Sequence, residues 1–169
     1  LSIFNFRLAA GYRIPMGGAD ITPYVGYGYR NLENEITDEL TIKATGETGT
    51  APCAGYQRDQ KYSYIPLGVQ LVFGTTWGIE AVGEYDFFLS GENHSYRPEC
   101  GMDNTFDQED GSGYRFSVKI ISPPVIGSMK IVVEPFYEHW EVDDSNVVNG
   151  FLEPENDATS TGIRIGGRF

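Results

Sequence analysis

The chain has no long hydrophobic run. A helix that crosses a membrane needs about 20 consecutive apolar residues, whereas polar and charged residues interrupt every apolar stretch of these 169 residues, of which 40% are hydrophobic. This excludes a membrane protein built from helical spans. The length is that of one domain, which we place over residues 1–169.

Basic residues are also scarce. The chain has 12 Lys and Arg residues against 24 Asp and Glu residues, so its net charge is -12 at pH 7. A surface of this sign repels the phosphate backbone, and we therefore predict no nucleic acid partner.

Histidine occurs only twice, as His94 beside Ser95 and as His139 near Glu141 and Ser145. Nucleophilic catalysis needs a nucleophile that is oriented by a base, and a base that is oriented by a third group. Neither histidine defines such a set. We therefore predict no catalytic residue and no cofactor.

What the chain does contain is an alternation of apolar and polar residues with a period of two. In one segment, for example, Leu67 and Val69 fall on one face, and Gly68 and Gln70 fall on the other. The alternating segments are residues 3–14, 21–30, 61–73, 77–89, 113–121, 129–140 and 161–169. This period over about ten residues predicts seven antiparallel β-strands.

With the exception of Lys61 and His139 at strand ends, the charged residues of these segments lie on the face opposite the aliphatic residues. They are Arg7, Arg13, Arg30, Glu80, Glu84, Asp86, Arg115, Lys119, Lys130, Glu134, Glu138, Arg164 and Arg168. A soluble sandwich also alternates, but an apolar outside and a charged inside are typical of a barrel in lipid, where closure pairs every backbone group. The pattern predicts an all-β fold, an antiparallel transmembrane up-and-down barrel.

The connections alternate in length, and the aromatic residues sort by height along the strands. Residues 14–20, 74–76 and 122–128 form short connections, whereas residues 31–60, 90–112 and 141–158 form long polar ones. Aromatic residues gather near both ends of the strands and aliphatic residues fill the middle, as bilayer interfaces favour. We predict short periplasmic turns and long, irregular extracellular loops.

Four phrases carry a resemblance to a known family: I-T-P-Y-V-G-Y-G-Y-R at residues 21–30, Y-I-P-L-G-V at 64–69, V-E-P-F-Y-E-H-W at 133–140 and the terminal G-I-R-I-G-G-R-F. They resemble the small eight-stranded outer-membrane barrels related to the OmpA transmembrane domain and OmpX. The resemblance implies a porin-like barrel in the outer membrane of a Gram-negative cell, in contact with its lipid and lipopolysaccharide. It also implies a periplasmic C-terminus, where Phe169 is part of the insertion signal read by the barrel-assembly machinery.

The strand count departs from that family. The first segment leads into a short connection and therefore descends from the outside, as does the last, whereas bacterial barrels usually have an even number of strands. We expect an eighth, ascending strand and a signal peptide before Leu1, or a strand supplied by another chain. A genuine seven-strand barrel is the alternative.

The predicted interior holds a charge network. Its members are Arg7, Arg30, Glu80, Glu84, Asp86, Arg115, Lys119, Glu134, Glu138 and Arg164. A barrel of about eight strands is only wide enough to be filled by side chains. The network is either a packed polar core or a path for protons or small ions.

Each of the three long loops carries six acidic residues, and their only basic residues are Lys43, Arg58 and Arg97. The loops are either a solvated anionic surface or a site for divalent cations or a basic partner. The acidic run from Asp103 to Gly111 does not match the spacing of a calcium loop, and we predict no specific metal site.

Cys53 and Cys100 lie in the first and second long loops. A reactive thiol has no neighbouring groups to activate it, whereas an even number of cysteines in an oxidising compartment favours a disulfide. We therefore predict a bond that staples the two loops.

The leading functional hypothesis is a non-enzymatic outer-membrane barrel that displays stapled acidic loops for envelope integrity or surface interaction. The alternative is a narrow channel for ions or small solutes. A lipid-modifying enzyme is the least favoured.

Overall fold

The computed structural model describes residues 2–36, 56–74, 76–97 and 102–169. Secondary structure within these ranges is entirely β. The strands are β1 (Ser2–Gly11), β2 (Ile14–Pro15), β3 (Ala19–Ile36), β4 (Tyr56–Phe73), β5 (Gly78–Arg97), β6 (Met102–Gln108), β7 (Gly111–Ile121), β8 (Lys130–Val142) and β9 (Asn156–Arg168). No helix in the described ranges is long and apolar enough to span a membrane.

All nine strands belong to one antiparallel sheet. Seven follow one another in the order β1-β3-β4-β5-β7-β8-β9, while β2 pairs with β3 and β6 pairs with β5. Apart from these two short additions, each strand pairs with the next one along the chain. This confirms the predicted all-β, antiparallel up-and-down fold.

Side chains of one face meet across strands that are not neighbours. Arg30 of β3 contacts Glu138 of β8 at 2.6 Å, and the ring of Tyr64 on β4 lies 4.9 Å from that of Trp140 on β8. Such contacts require that the sheet curls into a half-barrel with this face on the concave side. We call the enclosed space the lumen.

The opposite, convex face is apolar. Ile165 is 77% exposed, and many other aliphatic residues of this face are exposed as well. The larger ones are Leu8, Val25, Leu67, Val69, Leu71, Val118, Ile120, Ile131 and Ile163. Within the described ranges there is one sheet only, so no second layer packs on this face.

Glycines on the concave face make room for aromatic rings of the neighbouring strand. A Cβ atom at Gly28 would lie 2.1 Å from the Tyr64 ring, and one at Gly113 would lie 2.8 Å from the Trp140 ring. Both glycines are directly opposite the aromatic residue in the strand register. Only a residue without a side chain fits beneath the ring.

The prediction that residues 31–60, 90–112 and 141–158 are irregular throughout was wrong. β3 continues to Ile36, β4 starts at Tyr56, and β5 continues to Arg97 and pairs with β6. We call these loop-side parts of β3, β4 and β5, together with β6, the extension. The error arose because these stretches are polar, whereas the strand ladder is held by backbone hydrogen bonds that do not depend on apolar side chains. We call the end of the lumen at the extension the loop end, and the opposite end the short-turn end.

An irregularity in the β4–β5 ladder sets the inward residues of this extension. The register shifts between Ser63 and Tyr64, which adds one residue to β5. On the short-turn side of the shift the even-numbered Asp86 of β5 is buried, whereas on the loop side the odd-numbered Asn93 and Ser95 are buried. Because a bulge reverses which residues point inward, these polar side chains point into the lumen.

Strands β1 and β9 are the two edges of the sheet. Because every pairing along the path is antiparallel, these two strands run in the same direction, and the described residues include no ladder between them. A strand antiparallel to both would fit between them. The expected eighth strand, from upstream of Leu1 or from another chain, stays a prediction.

Candidate functional site

The centre of the lumen is organised around Glu84, whose side chain is completely buried on β5. Its Oε1 atom lies 3.0 Å from Arg7 Nη1 and 3.3 Å from Arg115 Nε. The Tyr24 hydroxyl donates to Oε2 at 2.7 Å. Three strands thus supply donors to one carboxylate, and charge-assisted bonds of this kind offset the cost of burying it.

Nearer the loop end, a second ion pair crosses the lumen. Arg30 and Glu138 are 2.6 Å apart and both side chains are almost completely buried. The Trp140 indole donates to the same Glu138 oxygen at 3.1 Å, and the Arg30 guanidinium lies 5.3 Å from the Trp140 ring centroid. The pair therefore joins the second strand of the path to the second-last strand through an aromatic layer.

At the short-turn end the edge strand β9 reaches the middle of the sheet. Arg168 contacts Glu80 of β5 at 2.6 Å, and Glu80 also accepts a hydrogen bond from Gln70 at 3.3 Å. Arg164 is 3.7 Å from Glu134. Since Arg7 of β1 and Arg168 of β9 both pair with β5, the two edges are tied to the central strand.

A cavity of about 350 Å³ opens beside these residues. Its charged lining is Glu80, Lys119, Glu134, Arg164 and Arg168. Lys119 is directly opposite Glu80 in the register, yet the Glu80 carboxylate pairs with Arg168 instead. The short-turn end of the lumen is thus open and lined by charges of both signs.

Asp86 is the one acidic member of the predicted network that is buried with neither carboxylate oxygen hydrogen-bonded among the described residues. It is 0% exposed. A buried carboxylate without a donor is destabilising. Asp86 thus lacks the hydrogen-bond donors that Glu84 has, although Glu84 lies only two residues earlier on the same face of β5.

The two histidines lie apart from the lumen. His94 Nε2 is 2.8 Å from Asp103 Oδ1, and His139 Nδ1 is 2.9 Å from Thr159 Oγ1. In the described ranges no group of three or more His, Cys, Asp or Glu residues is arranged to hold a metal ion. The predicted absence of catalysis stays a prediction.

On the convex side of the extension, Lys61 is the lysine among the described residues, and it lies between two carboxylates. Its ammonium lies 3.2 Å from Asp59 and 3.7 Å from Glu92. The hydrogen bond to Asp59 raises the pKa of Lys61. This lysine therefore keeps its charge on an otherwise acidic surface.

Other predicted residues are outside the lumen or outside the description. Cys53 and Cys100 lie outside the described residues, so the disulfide stays a prediction. Phe169 is 91% exposed after the end of β9, and nothing in its contacts tests its role in insertion.

Sequence reasoning missed the aromatic members of the lumen. Tyr24 donates to Glu84, Trp140 donates to Glu138, and the Tyr64 hydroxyl accepts a hydrogen bond from Arg7. A usable signal was present, because each of these three aromatic residues is opposite a glycine of an adjacent strand. No protein-family model matches the chain, and no curated protein is significantly similar to it.

Proposed function

We propose that the chain forms the wall of a non-enzymatic β-barrel in the outer membrane of a Gram-negative cell. In this proposal it displays acidic, disulfide-stapled loops for envelope integrity or surface interaction. The observation that carries the proposal is the reversal of polarity across the sheet. Aliphatic side chains cover the convex face, whereas ion pairs fill the concave face.

The energetic argument is that water is a poor solvent for the convex face. Removing one Leu, Ile or Val side chain from water stabilises by about 1.5–3 kcal/mol, and this face holds many such residues in one continuous band. Soluble proteins rarely leave so large an apolar surface uncovered. Hydrocarbon covers it, provided that the backbone is paired throughout the band.

Aromatic residues at both ends of the band support this orientation. Tyr27, Tyr85 and Phe87 are exposed towards the loop end, and Phe73 and Trp77 are exposed towards the short-turn end. Amphipathic rings prefer the level of the lipid head groups. The short-turn end would then face the periplasm.

The strand extensions supply a platform for display. At about 3.3 Å per residue the 18 residues of β4 span roughly 60 Å, and a strand tilt of about 35–45° leaves a height of roughly 42–49 Å, well above the ~25 Å height of an apolar band in such barrels. The loop-end halves of β4 and β5 would therefore project from the membrane. Their acidic residues would face a basic partner, or an anionic one bridged by cations.

Membrane insertion of matched variants tests the proposal. Val69 and Gln57 lie on the same face of β4, at mid-band and in the extension respectively. An arginine at mid-band costs about 2–4 kcal/mol in a barrel, so Val69→Arg should reduce folding into lipid vesicles, and Gln57→Arg should not. Equal insertion of both variants would contradict a bilayer around the band. Folding is measured by the heat-modifiable mobility of the barrel in gel electrophoresis.

A narrow channel is the second candidate, favoured by the open, charge-lined cavity at the short-turn end. Against it, the Arg30–Glu138 pair and its aromatic neighbours cross the lumen near the loop end. Planar-bilayer recordings separate the two functions. Reproducible small conductances support a channel, and silence supports display.

A further inference from the structure

Residues 143–155, which we call the strap, connect β8 to β9 and first follow the free edge of β6. Asn146 N donates to Asp107 O at 3.0 Å, and Asp107 N donates to Asn146 Oδ1 at 3.0 Å. Gln108 Nε2 donates to the Asp143 carbonyl at 3.1 Å. The strap is thus held beside the extension as an irregular additional strand.

A tight turn then reverses the strap. Val148 and Phe151 exchange backbone hydrogen bonds of 2.8 and 2.9 Å. Between them Asn149 and Gly150 have φ angles of 52° and 80°, both in the left-handed region that an Asn-Gly turn of this kind requires. Asn149 also donates to Asn104 Oδ1 of β6 at 2.8 Å, which fixes the position of the turn.

After the turn, the strap reaches the opposite wall of the lumen. Glu153 pairs with Arg58 of β4 at 3.0 Å, and their side chains are only 5% and 14% exposed. β4 is separated from β8 by two strands of the sheet path. A contact between this segment and β4 therefore spans the loop end of the lumen.

The residue of β4 that pairs with the strap, Arg58, is itself held in place by its neighbours. With its amide oxygen turned towards Arg58, Gln60 accepts hydrogen bonds from Arg58 Nη2 at 2.7 Å and from the Tyr62 hydroxyl at 2.8 Å. Gln60 thus links Arg58 to Tyr62 and holds the guanidinium in place on β4.

We propose that the strap is a lid over the loop end of the lumen and that the Arg58–Glu153 ion pair is its latch. The ion pair is buried, whereas the hydrogen bond from Asp107 N to Asn146 on the β6 side is exposed, so breaking the pair leaves a buried charge uncompensated. Trp140 and Val142, at the end of β8 that leads into the strap, are only 3% and 1% exposed. The physiological meaning of closure, exclusion of solutes from the lumen, rests on the proposed membrane barrel, but the closure itself does not.

Fluorescence quenching of Trp140 tests the lid. The chain has two tryptophans, and Trp77→Phe leaves Trp140 as the only one. In the full chain folded in detergent micelles, Glu153→Gln should increase the acrylamide quenching constant at least about threefold, because an unlatched segment opens locally. Glu155→Gln, the same change at an exposed residue two positions along the strap, should leave the constant unchanged.

A variant of β4 controls for the possibility that Glu153→Gln acts only by disturbing the fold. Arg58→Gln should give the same increase, and the double variant should add nothing further, since both remove one latch. Circular dichroism verifies that strand content is retained. Quenching equal to that of Glu155→Gln in both single variants would overturn the proposal. The experiment uses no bilayer, so its failure is distinguishable from a failure of membrane insertion.

Discussion

The two ends of the lumen hold ion pairs of similar length in different surroundings. At the loop end the pairs Arg30–Glu138 and Arg58–Glu153 are buried. At the short-turn end the Arg168 side chain, which pairs with Glu80, is 57% exposed beside an open cavity. Because water screens an exposed pair, distance alone does not determine what an ion pair contributes.

This difference implies that the loop end is the rigid part of the lumen. Removing one partner from a buried pair leaves an uncompensated charge in a medium of low polarity. At the short-turn end Glu80 is itself buried but lines the open cavity, so water reaches its carboxylate when Arg168 is removed. Substitutions at the two ends should therefore differ in both size and salt dependence.

The largest effect is expected from Arg30→Met. The change leaves the buried Glu138 carboxylate with the Trp140 indole as a donor but without its guanidinium, and it should lower the free energy of unfolding by about 3–5 kcal/mol. Urea unfolding followed by tryptophan fluorescence measures it. Arg30→Met combined with Glu138→Met should recover most of the loss. A double variant no more stable than the single one would show that charge isolation is not the cause.

A smaller effect of opposite sign is expected from Asp86→Asn. Neither oxygen of Asp86 has a hydrogen-bond partner among the described residues, so the amide removes a buried charge and breaks no hydrogen bond. The free energy of unfolding should rise by about 1–2 kcal/mol. Glu84→Gln is the matched comparison, and it should destabilise because Glu84 binds three donors. Destabilisation by both changes would mean that Asp86 is compensated by groups such as water.

The smallest effect is expected from Arg168→Gln. The pair is exposed on the Arg168 side, and the buried Glu80 keeps its hydrogen bond from Gln70, so the pair should contribute at most about 1 kcal/mol, and less in 1 M salt than in 0.1 M salt. Unfolding midpoints at the two salt concentrations provide the measurement. A loss as large as that of Arg30→Met would erase the distinction between the two ends.

The strands and their faces could be predicted well from the sequence, because the period of two is a property of the backbone. The alternation of Leu67 and Val69 with Gly68 and Gln70 assigns the faces without any tertiary information. The ends of the strands could not be predicted in this way. β5 continues through polar residues to Arg97, and the ladder there is held by backbone bonds.

The pairing inside the lumen was also beyond the sequence. It predicted that Arg7, Glu80 and Glu84 point inward, but a list of inward charges does not say which of them meet. Glu80 is opposite Lys119 in the ladder and pairs with Arg168 of the edge strand. Curvature brings distant strands closer than their register suggests.

The sequence by itself determined the seven strands of the sheet path, their antiparallel order and the polarity of the two faces, because these follow from local periodicity and from short connections. The tertiary structure alone decided that Glu84 collects Arg7 and Arg115, that Asp86 is left without a donor, and that Glu153 crosses to Arg58. These contacts depend on how strongly the sheet curls and on where a chain segment returns across the lumen. Both depend on the packing of many residues at once, so no local pattern encodes them.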